Sequence, residues 1–144
     1  MSQDSPAAQP LPQKPVPKMT PGAEHYWASA TREEFVLPHC GDCDRVFFYP
    51  RQWCPHCFGQ QLDWRKASGR GTVYSFSVVH QAPFPSYQGD VPYVLAVIEL
   101  AEGPRMMANV LHCAPDRIRV GLPVEVTFET RGDMKIPQFQ PVHS

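Results

Sequence analysis

Residues 40–57 read CGDCDRVFFYPRQWCPHC, with four cysteines in two CxxC pairs that are separated by ten residues. A CxxC turn directs two sulfur atoms toward one point, and two such turns supply the closed tetrahedral shell that structural zinc prefers. The spacing therefore predicts one structural Zn2+ bound by Cys40, Cys43, Cys54 and Cys57. Because cysteine fills all four positions, no coordination site is left for water, and a catalytic role of the metal is not expected.

Three other readings of the cysteines stay open. Tetrahedral sulfur also suits iron, as in a rubredoxin-type site. A redox CxxC motif would need only one pair, usually within a larger βαβ setting. Disulfides require an oxidising compartment, and the N-terminus has no apolar signal-peptide core, so cytoplasmic residence is expected.

Overall composition excludes several classes of protein. The 144 residues include 13 Lys+Arg and 14 Asp+Glu, so the chain lacks the basic stripe of a mainly electrostatic nucleic-acid binder. No run of about 18 apolar residues is present, so no membrane span is expected.

Residues 1–19 are rich in proline and poor in apolar side chains, and we predict a disordered or polyproline-II tail there.

The segments that follow the tail change in periodicity. Residues 20–37 predict a helix with Thr20 as N-cap and Pro21 at the first helical position. Residues 38–67 hold the predicted zinc ribbon, which is too small to fold without its metal. Both segments are rich in aromatic residues, and we predict a partner-binding surface formed by Tyr26, Trp27, Phe47, Phe48 and Tyr49.

Residues 68–144 read as five short strands that are bounded by glycine and proline turns. The second strand is nearly all apolar, which predicts burial on both of its faces. An interruption after the third strand matches the five-stranded Greek-key barrel of the OB-fold. The predicted strands span 70–80, 91–100, 105–113, 122–130 and 135–142. The fold class is therefore mainly β: an N-terminal helix, a four-cysteine ribbon and an OB-fold barrel.

No set of nucleophile, base and orienting group can be placed together from the sequence. His80 and Cys113 are the residues considered, and both are read as non-catalytic, so no catalytic residue is predicted. A cluster of cations flanks the junction of ribbon and barrel. A solvated face explains these cations about as well as an anionic nucleotide does. They are Arg45, Arg51, Arg65, Lys66 and Arg70.

Over residues 20–142 the chain resembles the zinc-ribbon/OB-fold accessory proteins of acyl-CoA metabolism, formerly a family of unknown function. The resemblance rests on CGDC, FYPRQWCPHC, GRGTVYSFSVVH, VPYVLAVIEL, and IRVGLPVEVTFE followed by PQF. It implies a non-catalytic subunit that binds a thiolase, aldolase or acyltransferase of the thiolase superfamily in a hetero-oligomer. It implies that the four cysteines bind zinc.

The resemblance also implies that the subunit stabilises its enzyme and helps to hold or hand over acyl-CoA. In that case the five cations would contact the phosphates of CoA. Two alternatives remain: a stand-alone acyl-CoA-binding protein or hydrolase, and a nucleic-acid-binding OB-fold module.

Overall fold

The computed structural model describes residues 13–142. Within them lie one α-helix, a single 3-10 turn at Pro85–Tyr87 and eight strands. The helix is α1 (Glu24–Thr31). The strands are β1 (Val36–Cys40), β2 (Arg45–Val46), β3 (Leu62–Lys66), β4 (Arg70–Val79), β5 (Tyr93–Leu100), β6 (Arg105–Val110), β7 (Pro123–Arg131) and β8 (Met134–Pro141).

The first three strands form the ribbon sheet in the order β2-β1-β3. Strand β1 is central and is buried at every position. It ends at Cys40, which pairs with Arg45 of β2 and with Leu62 of β3. The sheet thus holds the first cysteine in a fixed position between two antiparallel neighbours.

The last five strands close into a barrel in the order β4-β5-β6-β8-β7. The segment between β6 and β7 lets the chain cross the barrel end, so that β8 returns parallel to β6 at the pair Val110 and Phe139. The predicted OB-type barrel is confirmed, and its strand order follows the interruption that the sequence shows after the third strand.

Strand β5 corrects one expectation from the sequence. Its burial alternates along the strand: Val94, Ala96, Ile98 and Leu100 are buried, whereas the residues between them are only half-buried. The strand is paired antiparallel with β4 and β6 in the barrel wall, so only one face points into the core. The sequence of this strand is nearly all apolar because its outer face also carries apolar side chains.

Helix α1 is shorter than the predicted span 20–37. Its N-cap is Ala23, which makes no side-chain capping hydrogen bond, so the expected cap at Thr20 is wrong. The helix ends where Glu33 adopts a φ of 61° and its amide donates to the carbonyl of Ala30. Val36 then begins β1.

The predicted tail lies mostly outside the described residues, which begin at residue 13. Residues 13–19 form no helix or strand, yet they contact the barrel. The Lys14 ammonium pairs with the carboxylates of Asp90 and Glu129. The Arg131 guanidinium donates to the carbonyl of Pro15 at 3.2 Å.

Helix, ribbon and barrel share one aromatic core. Tyr26 of α1 is 3% exposed and contacts Phe48 of the ribbon with ring centroids 5.5 Å apart. Phe35 contacts Tyr26 at 6.5 Å and the barrel residue Phe139 at 6.2 Å, both edge to face. These contacts fix the ribbon against the barrel. Within residues 13–142 no helix is both long and apolar enough to cross a membrane.

Candidate functional site

The structure brings the four predicted cysteines together, with all Sγ atoms within 4.8 Å of one another. The Sγ atoms of Cys40 and Cys57 are 3.6 Å apart, and so are those of Cys43 and Cys54. Zn–S bonds of about 2.3 Å in a tetrahedron require sulfur atoms about 3.8 Å apart. The donor set therefore fits a tetrahedral thiolate-bound metal.

The two CxxC turns have the same backbone geometry. The amide of Asp44 donates to the carbonyl of Cys40 at 2.8 Å, and the amide of Phe58 donates to the carbonyl of Cys54 at 2.8 Å. Both Asp44 and Phe58 have left-handed backbones, with φ of 57° and 63°. Each turn therefore closes on a residue that directly follows its second cysteine.

Backbone amides also point at the sulfur atoms. The amide of His56 lies 3.3 Å from Cys54 Sγ, and that of Gly59 lies 3.4 Å from Cys57 Sγ. Burial acts to raise the pKa of the Cys54 thiol, but the backbone donors of Cys57 and His56, together with hydrogen bonds from the Cys43 and Cys40 thiols, outweigh burial and lower that pKa to about 7. Such donors favour the thiolate, which is the form that binds metal.

His39 is buried next to this centre. Its Nε2 lies 2.8 Å from Asp44 Oδ1 and its Nδ1 lies 2.8 Å from Asp63 Oδ1. The hydrogen bond with Asp44, followed by the one with Asp63, raises the pKa of His39 above its ordinary value. The imidazole thus joins the first CxxC turn to strand β3.

Most of the predicted partner-binding aromatics lie in the interior of the chain. Tyr26 and Phe47 are buried, Phe47 at 2% exposure. Trp27 and Phe48 are half-buried and pack on the core. Tyr49 alone among the five is well exposed, at 46%. The burial of Tyr26 and Phe47 contradicts their assignment to a surface, because Tyr26 packs on aromatic residues of the same chain and Phe47 packs with Cys40 and Cys54.

The predicted cations are divided by the fold. Arg45, Arg51, Arg65 and Lys66 line a groove of about 920 Å3 between the ribbon and the turn that joins β5 to β6. Arg70 instead lines a separate recess beside β5 and β7. The acidic residues lining the groove are Asp44 and Glu102.

Arg105 was missed by the sequence reasoning but lines the same groove. Among the cations of this groove, Arg65 pairs with Asp63 at 3.5 Å and Arg105 pairs with Glu99 at 3.4 Å. Within the described part of the chain, Arg45 and Lys66 make no ion pair. The groove therefore carries excess positive charge.

A second cavity, of about 420 Å3, lies where the barrel wall opens between β6 and β8. The amide of Met107 donates to the Tyr49 hydroxyl at 3.2 Å, and the amide of Asn109 donates to Gln138 Oε1 at 2.7 Å. Side chains thus replace a neighbouring strand along this part of β6. No periodicity in the sequence signals this opening, because it depends on how β8 returns past β6.

Comparison with known families matches the whole ribbon and most of the barrel. Residues 27–63 match the rubredoxin-like zinc ribbon domain of ChsH2. Residues 64–129 match the C-terminal OB-fold domain of ChsH2. The first match contains all four cysteines, so the prediction of one structural zinc is confirmed.

Curated relatives are named as subunits or scaffolds. A probable enoyl-CoA hydratase alpha subunit of Thermomonospora curvata is 33% identical over 89% of this chain and 40% of its own length. A DUF35 domain-containing scaffold protein of Methanocaldococcus jannaschii is 40% identical over 62% of this chain and 63% of its own length. The benzoylsuccinyl-CoA thiolase subunit BbsA of Thauera aromatica is 33% identical over 65% of this chain and 62% of its own length. The chain thus spans less than two thirds of the length of each.

A solved structure extends the comparison to three dimensions. A chain of the Ltp2-ChsH2(DUF35) aldolase is similar with a TM-score of 0.79 and 32% identity, over 88% of this chain and 98% of that one. Its similarity covers helix, ribbon and barrel in one alignment. The chain therefore belongs to the ChsH2 (DUF35) family, in which a rubredoxin-like zinc ribbon is followed by an OB-fold domain.

Proposed function

We propose that this protein is a non-catalytic accessory subunit of a thiolase-superfamily enzyme that acts on acyl-CoA. It forms a hetero-oligomer with that enzyme in the cytoplasm and stabilises it. The observation that carries the proposal is the similarity, over nearly the whole matched chain, to a chain of the Ltp2-ChsH2(DUF35) aldolase. The names of BbsA and of the hydratase alpha subunit support the same class of assembly.

The proposed metal ligands are Cys40, Cys43, Cys54 and Cys57. Their sulfur spacing and the amide donors at Cys54 and Cys57 support this assignment. When bound, zinc would cross-link the two CxxC turns and supply no reactive site, because the four thiolates complete its tetrahedral shell. The ribbon then acts as a rigid surface rather than a reaction centre.

The cationic groove is the proposed site for the phosphates of CoA. Arg45, Arg51 and Lys66 supply positive charge there, together with Arg65 and Arg105. Arginine can donate two parallel hydrogen bonds to a phosphate, and lysine acts as a point charge. Glu102 also lines the groove, and its buried Oε1 has no hydrogen-bond partner within residues 13–142.

Assembly is tested by affinity purification of the tagged chain from its native host, followed by native mass spectrometry. We expect an enzyme subunit of the thiolase superfamily at fixed stoichiometry, with one zinc ion per copy of this chain. A zinc-loaded monomer or homodimer with no enzyme subunit would refute the accessory function.

The groove is tested by charge reversal at matched positions. Lys66→Glu and Arg45→Glu are expected to weaken CoA binding at least tenfold in calorimetric titrations, since each replaces an unpaired cation by a carboxylate. Arg70→Glu makes the same chemical change outside the groove and is expected to leave affinity within twofold of wild type. Equal losses in all three variants would indicate non-specific attraction and contradict the site.

A further inference from the structure

Phe58 combines two unfavourable features at the tip of the ribbon. Its side chain is 78% exposed, a large exposure for a phenyl ring. Its backbone is left-handed, with a φ of 63°, and bulky residues rarely adopt this conformation because Cβ approaches the following carbonyl. Neither the strain nor the exposure is offset by an aromatic contact of Phe58 within residues 13–142.

The first CxxC turn provides an internal reference. Asp44 occupies the equivalent position there, with the same hydrogen bond and nearly the same φ. Aspartate tolerates the left-handed region better than phenylalanine does, and its carboxylate contacts His39 within the chain. The turn geometry itself therefore does not require an aromatic residue after the second cysteine.

A second exposed aromatic residue, Trp53, lies on the chain segment that neighbours the backbone of Phe58. Trp53 is 49% exposed, and the amide of the next residue, Cys54, donates to the carbonyl of Gly59 at 2.9 Å. This hydrogen bond places the backbone that carries Trp53 next to the backbone that carries Phe58. Gly59 in turn packs against the Asp42 side chain of the first turn, which would have to shift to admit a Cβ at position 59.

We propose that Phe58, supported by Trp53, is the anchor by which this chain docks on its enzyme subunit. The inference rests on the proposed accessory function and names the contact surface. A few residues carry most of the binding energy of a protein–protein interface, and aromatic residues, Trp above all, are enriched among them. Because zinc would bind both cysteines of the second turn, the backbone at Phe58 is already rigid. Phe58 therefore loses little conformational freedom when a partner binds.

The shape of the anchor indicates the kind of partner. A single ring that projects from a turn fits an apolar recess on a folded protein surface, whereas an extended peptide would need a groove on this chain. The partner is therefore a folded enzyme subunit with a recess sized for a phenyl ring. This assignment also replaces the surface first expected at Tyr26 and Phe47, both of which are buried.

The test uses Phe58→Asn, because asparagine adopts the left-handed conformation readily and removes the ring. The zinc-loaded variant is expected to melt at or above the wild-type temperature, while its affinity for the recombinant enzyme subunit identified with the tagged chain falls at least tenfold. Val120→Asn removes another exposed apolar side chain, far from the ribbon in sequence, and is expected to change affinity less than twofold. Phe58→Gly, a second strain-free variant, is expected to behave like Phe58→Asn.

Each other outcome overturns the inference in a distinct way. Affinity within twofold of wild type for both Phe58 variants would remove Phe58 from the interface while the accessory function stands. A lower melting temperature in both variants would show that the ring stabilises its own chain. A wild-type homodimer that Phe58→Asn dissociates would assign the anchor to a second copy. If wild type binds no enzyme subunit, the proposed function itself fails.

Discussion

Tyr26→Ala tests whether helix, ribbon and barrel form one folding unit. The side chain is 3% exposed and packs against Trp27, Phe35 and Phe48, with ring centroids between 4.8 and 6.5 Å. Truncation of a buried aromatic residue to alanine typically costs about 3–5 kcal/mol, including the cavity that is left. Domains of this size are stable by only about 5–15 kcal/mol, so a large part of the free energy of unfolding should be lost.

The assay is equilibrium unfolding in urea of the zinc-loaded protein, followed both by tryptophan fluorescence and by zinc release. We expect the two signals to fall together, in wild type and variant alike, because Phe48 and Phe139 connect the metal-bearing turns to the barrel through the same cluster. Tyr26→Phe keeps the ring and is the matched control, with an expected cost below about 1 kcal/mol.

A loss of less than about 1 kcal/mol in Tyr26→Ala would refute this reasoning. It would mean that α1 is only loosely attached and that Tyr26 is available to a partner. Zinc release well before the fluorescence change would likewise show that the ribbon unfolds independently of the barrel.

Two further predictions concern the metal and the N-terminal segment. Cys54→Ala is expected to abolish stoichiometric zinc binding and to lower the melting temperature strongly, since structural zinc contributes ~10–16 kcal/mol in isolated finger peptides. Equal melting temperatures of the zinc-loaded and the chelated wild-type protein would contradict this expectation. Burial opposes the charge of Lys14, but its hydrogen bond with Asp90 and the negative charges of Glu129 and Asp90 together outweigh burial and raise the pKa of Lys14 above 10.5. The stabilisation is thus fully present below pH 10.5 and is lost at higher pH as the folded-state group titrates. Lys14→Met should lower the free energy of unfolding by less than about 1 kcal/mol near pH 8, and wild type and variant should be equally stable once Lys14 is fully deprotonated. A stability difference between them that grows with pH would refute the ion pair.

Strand positions and metal centre could be predicted from the sequence because both depend on local signals. Gly69 precedes β4, Gly103 and Pro104 separate β5 from β6, and Gly121 precedes β7. The regular CxxC spacing likewise determines which sulfur atoms meet. Signals of this kind lie within a few residues of the elements that they define.

The surface could not be predicted in the same way. An aromatic residue in a short hairpin packs equally well on its own chain or on another, and the choice here depends on Phe139, some 90 residues beyond Phe48 in the sequence. The cationic groove shows the same limit. Arg70 is near the ribbon in sequence but not in the groove, whereas the hairpin of β5 and β6 brings Arg105 into it.

The contact between the Tyr49 hydroxyl and the Met107 amide has a consequence for solubility. A strand edge with free amides is a template for pairing with another chain, and proteins that expose one tend to aggregate. In this chain the ribbon supplies the group that occupies the Met107 amide, while Gln138 occupies the next one along β6. A barrel expressed without its ribbon would therefore expose this edge. Loss of the metal would promote self-association of the barrel as well as unfolding of the ribbon.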